Sequence, residues 1–288
     1  MKTVAIIQAR MTSTRLPGKV MADVAGNPML YHVVRRAQQA RTLDLVVVVT
    51  SDRPTDDVVA RFCRKAEIPC FRGSEEDVLD RYYQAAKRFE ADVIVRLTAD
   101  CPLLDSAVID KVVRVFQRGD YDYVSNALEP SYPNGLDTEV FPREVLEKAW
   151  REAHLKSDRE HVTPFIEEQP DLFRLENVKY DQDLSALRWT VDRPQDLEFV
   201  RRVYDYLGPL PSFGMMEILA LLGEHPELME INAGIQRNET YQKPIRRNDS
   251  PKKADRKRRT AWKRWGLFLP VGRRRGGAIR PLRNSRSR

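Results

Sequence analysis

Thr3-Val4-Ala5-Ile6-Ile7, followed by Gln8-Ala9-Arg10-Met11-Thr12-Ser13-Thr14-Arg15-Leu16-Pro17-Gly18-Lys19, is an apolar run that turns abruptly into a loop of cations and hydroxyls. The run has the length and composition of a buried strand. The loop brings Arg10, Arg15 and Lys19 together with Ser13 and Thr14 at that strand's carboxyl end. Ligands of open α/β sheets bind at the carboxyl ends of the strands. Backbone N–H groups, hydroxyls and fixed positive charge in one short loop suit a polyanion, and a nucleoside triphosphate is the evident candidate.

The pattern repeats along the chain. Leu45-Val46-Val47-Val48-Val49-Thr50 is nearly all β-branched, as a strand covered on both faces requires. Asp92-Val93-Ile94-Val95-Arg96-Leu97 is a second such run, and weaker ones lie at 68–71, 121–125, 138–141, 173–179 and 187–191. Helical stretches separate them. Asn27-Pro28 reads as an N-cap and first helical position ahead of Leu30, Val33, Val34 and Ala37. Ser157-Asp158-Arg159-Glu160 reads as a capping box, and Pro194 opens a stripe of Leu197, Val200, Val203, Tyr204 and Leu207. Strands alternating with helices predict an α/β fold with a largely parallel sheet sandwiched between helices.

Charge divides the chain in two. Of its 49 Lys/Arg and 42 Asp/Glu, 19 and 3 fall in 237–288, which leaves 30 and 39 in 1–236. The tail therefore carries about +16 and the body about −9, so the net +7 says little about what the body binds. Apolar periodicity stops near Gln236, and 237–288 reads as a basic, disordered tail behind a domain of 1–236. Its basic clusters suit nucleic-acid phosphates or, with Trp262, Trp265 and Phe268, an anionic membrane surface, or the tail is an extension with no such role. Three cysteines without metal-type spacing, no apolar stretch near eighteen residues and no leader-like start predict a cytoplasmic protein with free thiols.

Two carboxylates sit where the loop needs them. Asp100 follows the strand ending near Leu97, and Asp192 follows the apolar residues ending at Val191, just before Pro194. A pair of strand-end carboxylates beside a triphosphate loop suits Mg²⁺, which takes oxygen ligands from one or two carboxylates and from phosphates. Either aspartate alone would equally serve as a helix cap or turn former.

The opening segment, Thr98-Ala99-Asp100-Cys101-Pro102 and Val191-Asp192-Arg193-Pro194-Gln195-Asp196-Leu197 resemble the cytidylyltransferases that make CMP-activated sugar acids. The resemblance is to the branch named for spore coat polysaccharide biosynthesis protein F. It runs from Met1 to about Tyr241 and includes the stretch from Asn232 to Glu239. It implies a Rossmann-like nucleotidyltransferase fold, similar to GT-A folds: a three-layer sandwich around a mixed, mostly parallel sheet. It further implies a Mg²⁺-dependent attack of a sugar hydroxyl on the α-phosphate of CTP, release of pyrophosphate, and a homodimer. On this resemblance Lys19, Arg10 and Asp100 are catalytic. Arg10, Ser13, Thr14, Arg15 and Lys19 hold the triphosphate, Arg72 and Ser74 contact cytosine, and Asp100 and Asp192 bind the metal. Ser74 also reads as the N-cap of a helix starting near Glu75.

The middle of the chain departs from the acceptor motifs of the sugar-acid enzymes. It offers Asn134, Asp137, Glu139 and His161 instead, polar groups suited to a hydroxyl-rich or aminated acceptor. Asn134-Gly135 also reads as a plain turn, and His161 as a structural histidine. Two rival enzymes remain. A glycosyltransferase of related fold needs an Asp-x-Asp at a strand end; Asp120-Tyr121-Asp122 precedes its strand and Asp181-Gln182-Asp183 lies in a loop. A sugar-1-phosphate nucleotidyltransferase would carry glycine spacing where this chain has Arg10-Met11-Thr12-Ser13.

Overall fold

The computed structural model describes residues 1–208 and 212–235. The predicted basic tail and its nucleic-acid or membrane contacts lie outside the described residues. Among those described, no helix is long and apolar enough to cross a membrane.

The order of elements is β1 (Thr3–Gln8), a small antiparallel hairpin of β2 (Asp23–Val24) and β3 (Asn27–Pro28), α1 (Met29–Ala37), β4 (Leu45–Ser51), α2 (Asp57–Lys65), β5 (Cys70–Gly73), α3 (Val78–Arg88) and β6 (Val93–Thr98). There follow α4 (Ser106–Arg118), β7 (Tyr123–Ser125), β8 (Glu139–Pro142), α5 (Arg143–Glu152), α6 (Lys156–His161), α7 (Pro164–Glu167), β9 (Leu175–Asn177), α8 (Pro194–Leu207) and α9 (Met215–Glu224).

Seven strands form one sheet in the order β5-β4-β1-β6-β8-β7-β9. β5, β4, β1 and β6 are mutually parallel, while β8 runs antiparallel between β6 and β7. The sheet is thus mixed and mostly parallel. The chain leaves β1 toward β4 and β5 on one side, then returns to place β6 on the other. The carboxyl ends of β1 and β6 therefore flank a topological switch point, where such sheets open a crevice.

Period-two side-chain alternation divides the core. Ala5, Ile7, Val46 and Val48 pack with α1, α2 and α4 on one face, and Val4, Ile6, Val47 and Val49 pack with α3, α5 and α7 on the other. This is a three-layer α/β sandwich, as expected. A third cluster, centred on Trp189, Phe199, Val200 and Ile218, seats α8 and α9 beside the sheet.

Four local readings are corrected. Leu187–Val191 is no strand. It makes a single bridge, Arg188 to Asn134; apart from it, Val191 N–H donates to Asp100 O and Leu187 N–H to Leu184 O. Asn27-Pro28 pairs with Asp23-Val24 as a hairpin arm, and α1 begins after Pro28 with no side-chain cap. Ser157 lies inside α6, which starts at Lys156 without a side-chain cap, so no capping box opens it. Ser74 is not a helix cap: α3 starts at Val78 with Asp77 as N-cap, accepting the N–H of Asp80.

Candidate active site

The loop after β1 is closed by its own backbone. Gly18 N–H donates to Met11 O at 2.9 Å, with Gly18 at φ +76°, a conformation that glycine adopts without strain. The Ser13 hydroxyl accepts from Leu16 N–H at 3.3 Å. Buried Asp56 pins the loop to the sheet, accepting from Met11 N–H at 2.7 Å and from Ser51 N–H at 3.1 Å. Glu75 closes from the far side, receiving Thr12 Oγ1 at 3.0 Å and Arg53 Nε at 3.1 Å.

Lys19 leaves this loop and enters the switch-point crevice. Its ammonium lies 3.0 Å from Asp100 Oδ2, 2.9 Å from Asp192 Oδ1 and 2.7 Å from Val191 O, so all three of its protons are donated. Arg15 meets the same Asp192 oxygen at 2.6 Å. Burial alone would lower the Lys19 pKa, but Asp100 and Asp192 outweigh it and the net direction is up. Burial likewise works against both carboxylates. Lys19 holds Asp100 below the ordinary range, and Lys19 with Arg15 holds Asp192 down at about 2. Both are carboxylates at neutral pH.

A further shell fixes Asp192. Arg188 Nη2 donates to Asp192 Oδ2 at 3.1 Å, and Arg188 Nε to the fully buried Asp196 at 2.9 Å. Asp196 also accepts the backbone N–H groups of Asp192 and Arg193, each at 2.9 Å. Asn232 then donates to Asp196 Oδ1 at 3.1 Å and to Arg188 O at 2.9 Å. Sequence reasoning did not single out Arg188, Asp196 or Asn232 as site residues. The Asp192-Arg193-Pro194-Gln195-Asp196 spacing was the available signal, because it places Asp196 in the first turn of α8.

These groups open into one cleft of about 640 Å³. Arg10, Ser13, Thr14, Arg15, Lys19, Asp100, Asp192, Asn134, Asp137, Glu139 and His161 all line it. Arg72 and Ser74 are not among its lining residues. Arg72 is held by Ser51 O at 3.0 Å, Arg53 O at 2.9 Å and Asp57 at 2.7 Å, and faces an outer depression beside Arg61 and Arg64. Ser74 accepts from Asp77 N–H at 3.0 Å. The residue that does reach the cleft from this region is buried Arg81, whose Nε donates to Ser74 O at 2.9 Å.

Further groups of the same cleft form an array of their own. Arg96 forms an ion pair with Glu139. The Tyr123 hydroxyl lies 3.0 Å from Glu139 Oε2 and 3.0 Å from Glu167 Oε1. Burial, then the Glu139 charge, pushes the Glu167 pKa up. Glu167 was also missed by sequence reasoning. His161 and Thr163, which line the same cleft, lie on either side of Val162, whose φ of +75° and the Thr163 N–H to His161 O bond of 3.0 Å define a strained γ-turn. Burial, with Arg96 and Arg10 nearby, lowers the His161 pKa, so its imidazole is neutral at pH 7.

The rival aspartate pairs lie elsewhere. Asp120 and Asp122 both engage Arg174. They precede β7, which runs parallel to β6, so they occupy the sheet edge opposite Asp100. Asp183 accepts the N–H of Ser185 at 3.0 Å in its own loop.

Comparison with known proteins identifies the family. A family model described as cytidylyltransferase matches residues 4–211. The chain belongs to the cytidylyltransferase family. It is 36% identical over 231 residues to spore coat polysaccharide biosynthesis protein SpsF of Bacillus subtilis, covering 77% of this chain and 94% of that protein. It is 38% identical over 113 residues to the 3-deoxy-manno-octulosonate cytidylyltransferase of Geobacter metallireducens, which is 39% of this chain and 44% of that enzyme. Among solved structures, a cytidylyltransferase from Leptospira borgpetersenii matches with a TM-score of 0.77 and 32% identity, over 82% of this chain and all of that one. This cytidylyltransferase is therefore a nucleotidyltransferase enzyme with the expected Rossmann-like fold.

Proposed function

We propose that this cytidylyltransferase transfers CMP from CTP to a hydroxyl of a sugar or sugar acid, with release of pyrophosphate and Mg²⁺ as cofactor, in the assembly of a surface polysaccharide. The observation that carries this reading is one lysine ammonium held by two carboxylates at the switch-point crevice, Lys19 between Asp100 and Asp192. In the reaction the acceptor oxygen bonds to the α-phosphorus as the bond from that phosphorus to the pyrophosphate bridging oxygen breaks, and the hydroxyl proton is lost. Arg10, Arg15 and Lys19 would bind and orient the triphosphate, with Ser13, Thr14 and the loop N–H groups completing the cradle.

The donor chemistry suits the metal. Asp100 and Asp192 are oxygen donors close enough to share one cation, Lys19, at 3.0 and 2.9 Å. Among the described residues no group of three or more His, Cys, Asp or Glu side chains could hold an ion alone. A cation held by two carboxylates takes its remaining ligands from substrate and water, which is the habit of Mg²⁺. Arg10, Arg15 and Lys19 against Asp100 and Asp192 leave one net positive charge, too little for a triphosphate. When bound, Mg²⁺ would supply the missing charge on the α-phosphate and the leaving pyrophosphate.

The same reading makes the enzyme a cytoplasmic homodimer. The test is pyrophosphate release from each of CTP, UTP, ATP and GTP with candidate acceptors, with and without Mg²⁺. CTP-dependent release supports the reading; turnover of a UDP-sugar without pyrophosphate would sink it in favour of a glycosyltransferase.

A further inference from the structure

Two polar side chains of the cleft are left with bonding capacity that the protein does not use. α3 is seated over the β1–β6 junction, where the Tyr82 hydroxyl lies 3.1 Å from Ile6 O and 3.4 Å from Leu97 O. Period-two alternation along β1 turns Gln8 to the face of Val4 and Ile6, which α3 covers. Gln8, Val78 and Arg81 all line the cleft. Arg81 is only 1% exposed, and its Nε donates to Ser74 O while Nη2 donates to Ser74 O and Glu75 O. Among the described residues its Nη1 has no partner. Gln8 Oε1 is also buried and, among the described residues, accepts no hydrogen bond. Buried polar atoms are almost always paired, so two unpaired ones in one cleft mark where a ligand supplies the partners. The chemistry of that ligand follows from how each group is held. Arg81 is tethered through two nitrogens, so it cannot offer the two parallel bonds with which a free guanidinium grips a carboxylate or phosphate. It presents one fixed nitrogen that can only donate. The Gln8 amide can turn about its last torsion and accept or donate. A fixed donor, an adjustable amide and apolar Val78 suit the edge and face of a neutral heterocycle.

We propose that Arg81 and Gln8 read the base of the bound nucleotide: Arg81 Nη1 donates to the N3–O2 edge of cytosine, Gln8 Oε1 accepts from its 4-amino group, and the ring rests on Val78. The inference rests on the CMP-transfer reading above and gives its base contacts to residues other than Arg72 and Ser74, which do not line the cleft. Arg81 is the specificity-determining residue. Uracil carries N3–H where cytosine carries an acceptor, so its proton would face a donor that can neither turn nor lose its charge. Gln8 discriminates less, because its amide turns to meet either the amino group of cytosine or the 4-carbonyl of uracil.

The experiment is calorimetric titration of the full chain with CTP and with UTP, each with Mg²⁺, and its readout is the ratio of the two dissociation constants. The wild type should bind CTP about 10–100-fold more tightly than UTP, the scale of one well-formed base-edge contact. In Arg81→Gln the ratio should fall to within about threefold, because an amide can turn to accept from uracil N3–H. Loss of the tethers to Ser74 and Glu75 weakens both nucleotides alike and cancels in the ratio. Gln8→Glu should move the ratio the other way, up by at least about threefold, since a carboxylate accepts from an amino group and repels a carbonyl. This second variant decides the matter if Arg81→Gln does not fold. A wild type that binds CTP without preference over UTP, an unchanged ratio in folded Arg81→Gln, or an unchanged or lowered ratio in Gln8→Glu would each overturn the proposal while leaving CMP transfer standing. A wild type that binds neither nucleotide would defeat the CMP-transfer reading, and this inference with it.

Discussion

The side-chain amide of Asn232 donates to Asp196 at 3.1 Å, and Asp196 accepts the backbone N–H of Asp192 at 2.9 Å. Asn232 is thus two hydrogen bonds from the backbone of Asp192, whose carboxylate is one of the two that grip Lys19. Asn232→Ala should lower CTP turnover by about tenfold, by loosening Asp192 while leaving the carboxylate in place. It should also lower the melting temperature by several degrees, because a buried bond to a charged group contributes about 1.5–3 kcal/mol. Steady-state kinetics and thermal unfolding of the purified variant check both. Unchanged turnover would show that Asp192 is placed without this support.

Asp100 and Asp192 reach Lys19 from separate loops, one after β6 and one before α8. Asp100→Ala or Asp192→Ala should lower turnover by about 10²–10³-fold, the scale of losing one transition-state electrostatic partner. The far-ultraviolet circular dichroism of each should match the wild type, since the remaining carboxylate still neutralises Lys19. Full activity in both variants would remove the metal from the mechanism.

Acid stability follows from the same cluster. Asp192 is held at about 2, below the ordinary carboxylate value near 4, with burial opposing and Lys19 and Arg15 favouring ionisation. A carboxyl depressed on folding contributes its full stability above the unfolded value and loses it as pH falls through the folded one. The contribution is about 2 kcal/mol, present above pH 4 and lost between about pH 4 and 2. Asp100 shifts in the same direction. Denaturant unfolding at pH 5, 4 and 3 should show a fall in stability that is shallower in Asp192→Asn. Equal slopes in the two proteins would mean that the ion pair does not persist in solution.

The sequence was legible where one physical signal dominated. β1, β4 and β6 are buried on both faces, so their β-branched runs could hardly be anything else, and the loop and Asp100 followed from their ends. Leu187–Val191 was misread because its alternation, with Trp189 and Val191 buried, also arises when an extended segment is wedged between loops. Arg72, on β5, donates to Ser51 O and Arg53 O, contacts with backbone carbonyls that no side-chain pattern announces. Asp196 binds the nearby backbone of Asp192 and Arg193, but Asn232 and Glu167 reach partners 44 residues away, as Asn232 Nδ2 to Arg188 O illustrates. No local pattern encodes such pairings.

Gly135 packs its backbone against that of Trp189 and Thr190. At φ +122° it lies so close to the 188–192 segment that an added Cβ would sit 2.7 Å from Trp189 C and 2.7 Å from Thr190 N. The Asn134-Gly135 turn, with Leu136 N–H donating to Pro133 O at 3.2 Å, is therefore also the contact that sets the distance between the Asn134–Glu139 strip and Asp192. Gly135→Ala adds both left-handed strain and a backbone collision, neither of which a side-chain rotation relieves. It should destabilise the fold by about 2–4 kcal/mol, measured as a fall of roughly 5–15 °C in melting temperature. In the fraction that folds, acceptor KM should rise together with a loss in kcat, because the same shift displaces Asp192. A variant that melts with the wild type and keeps its kinetics would show that the two segments are not in contact.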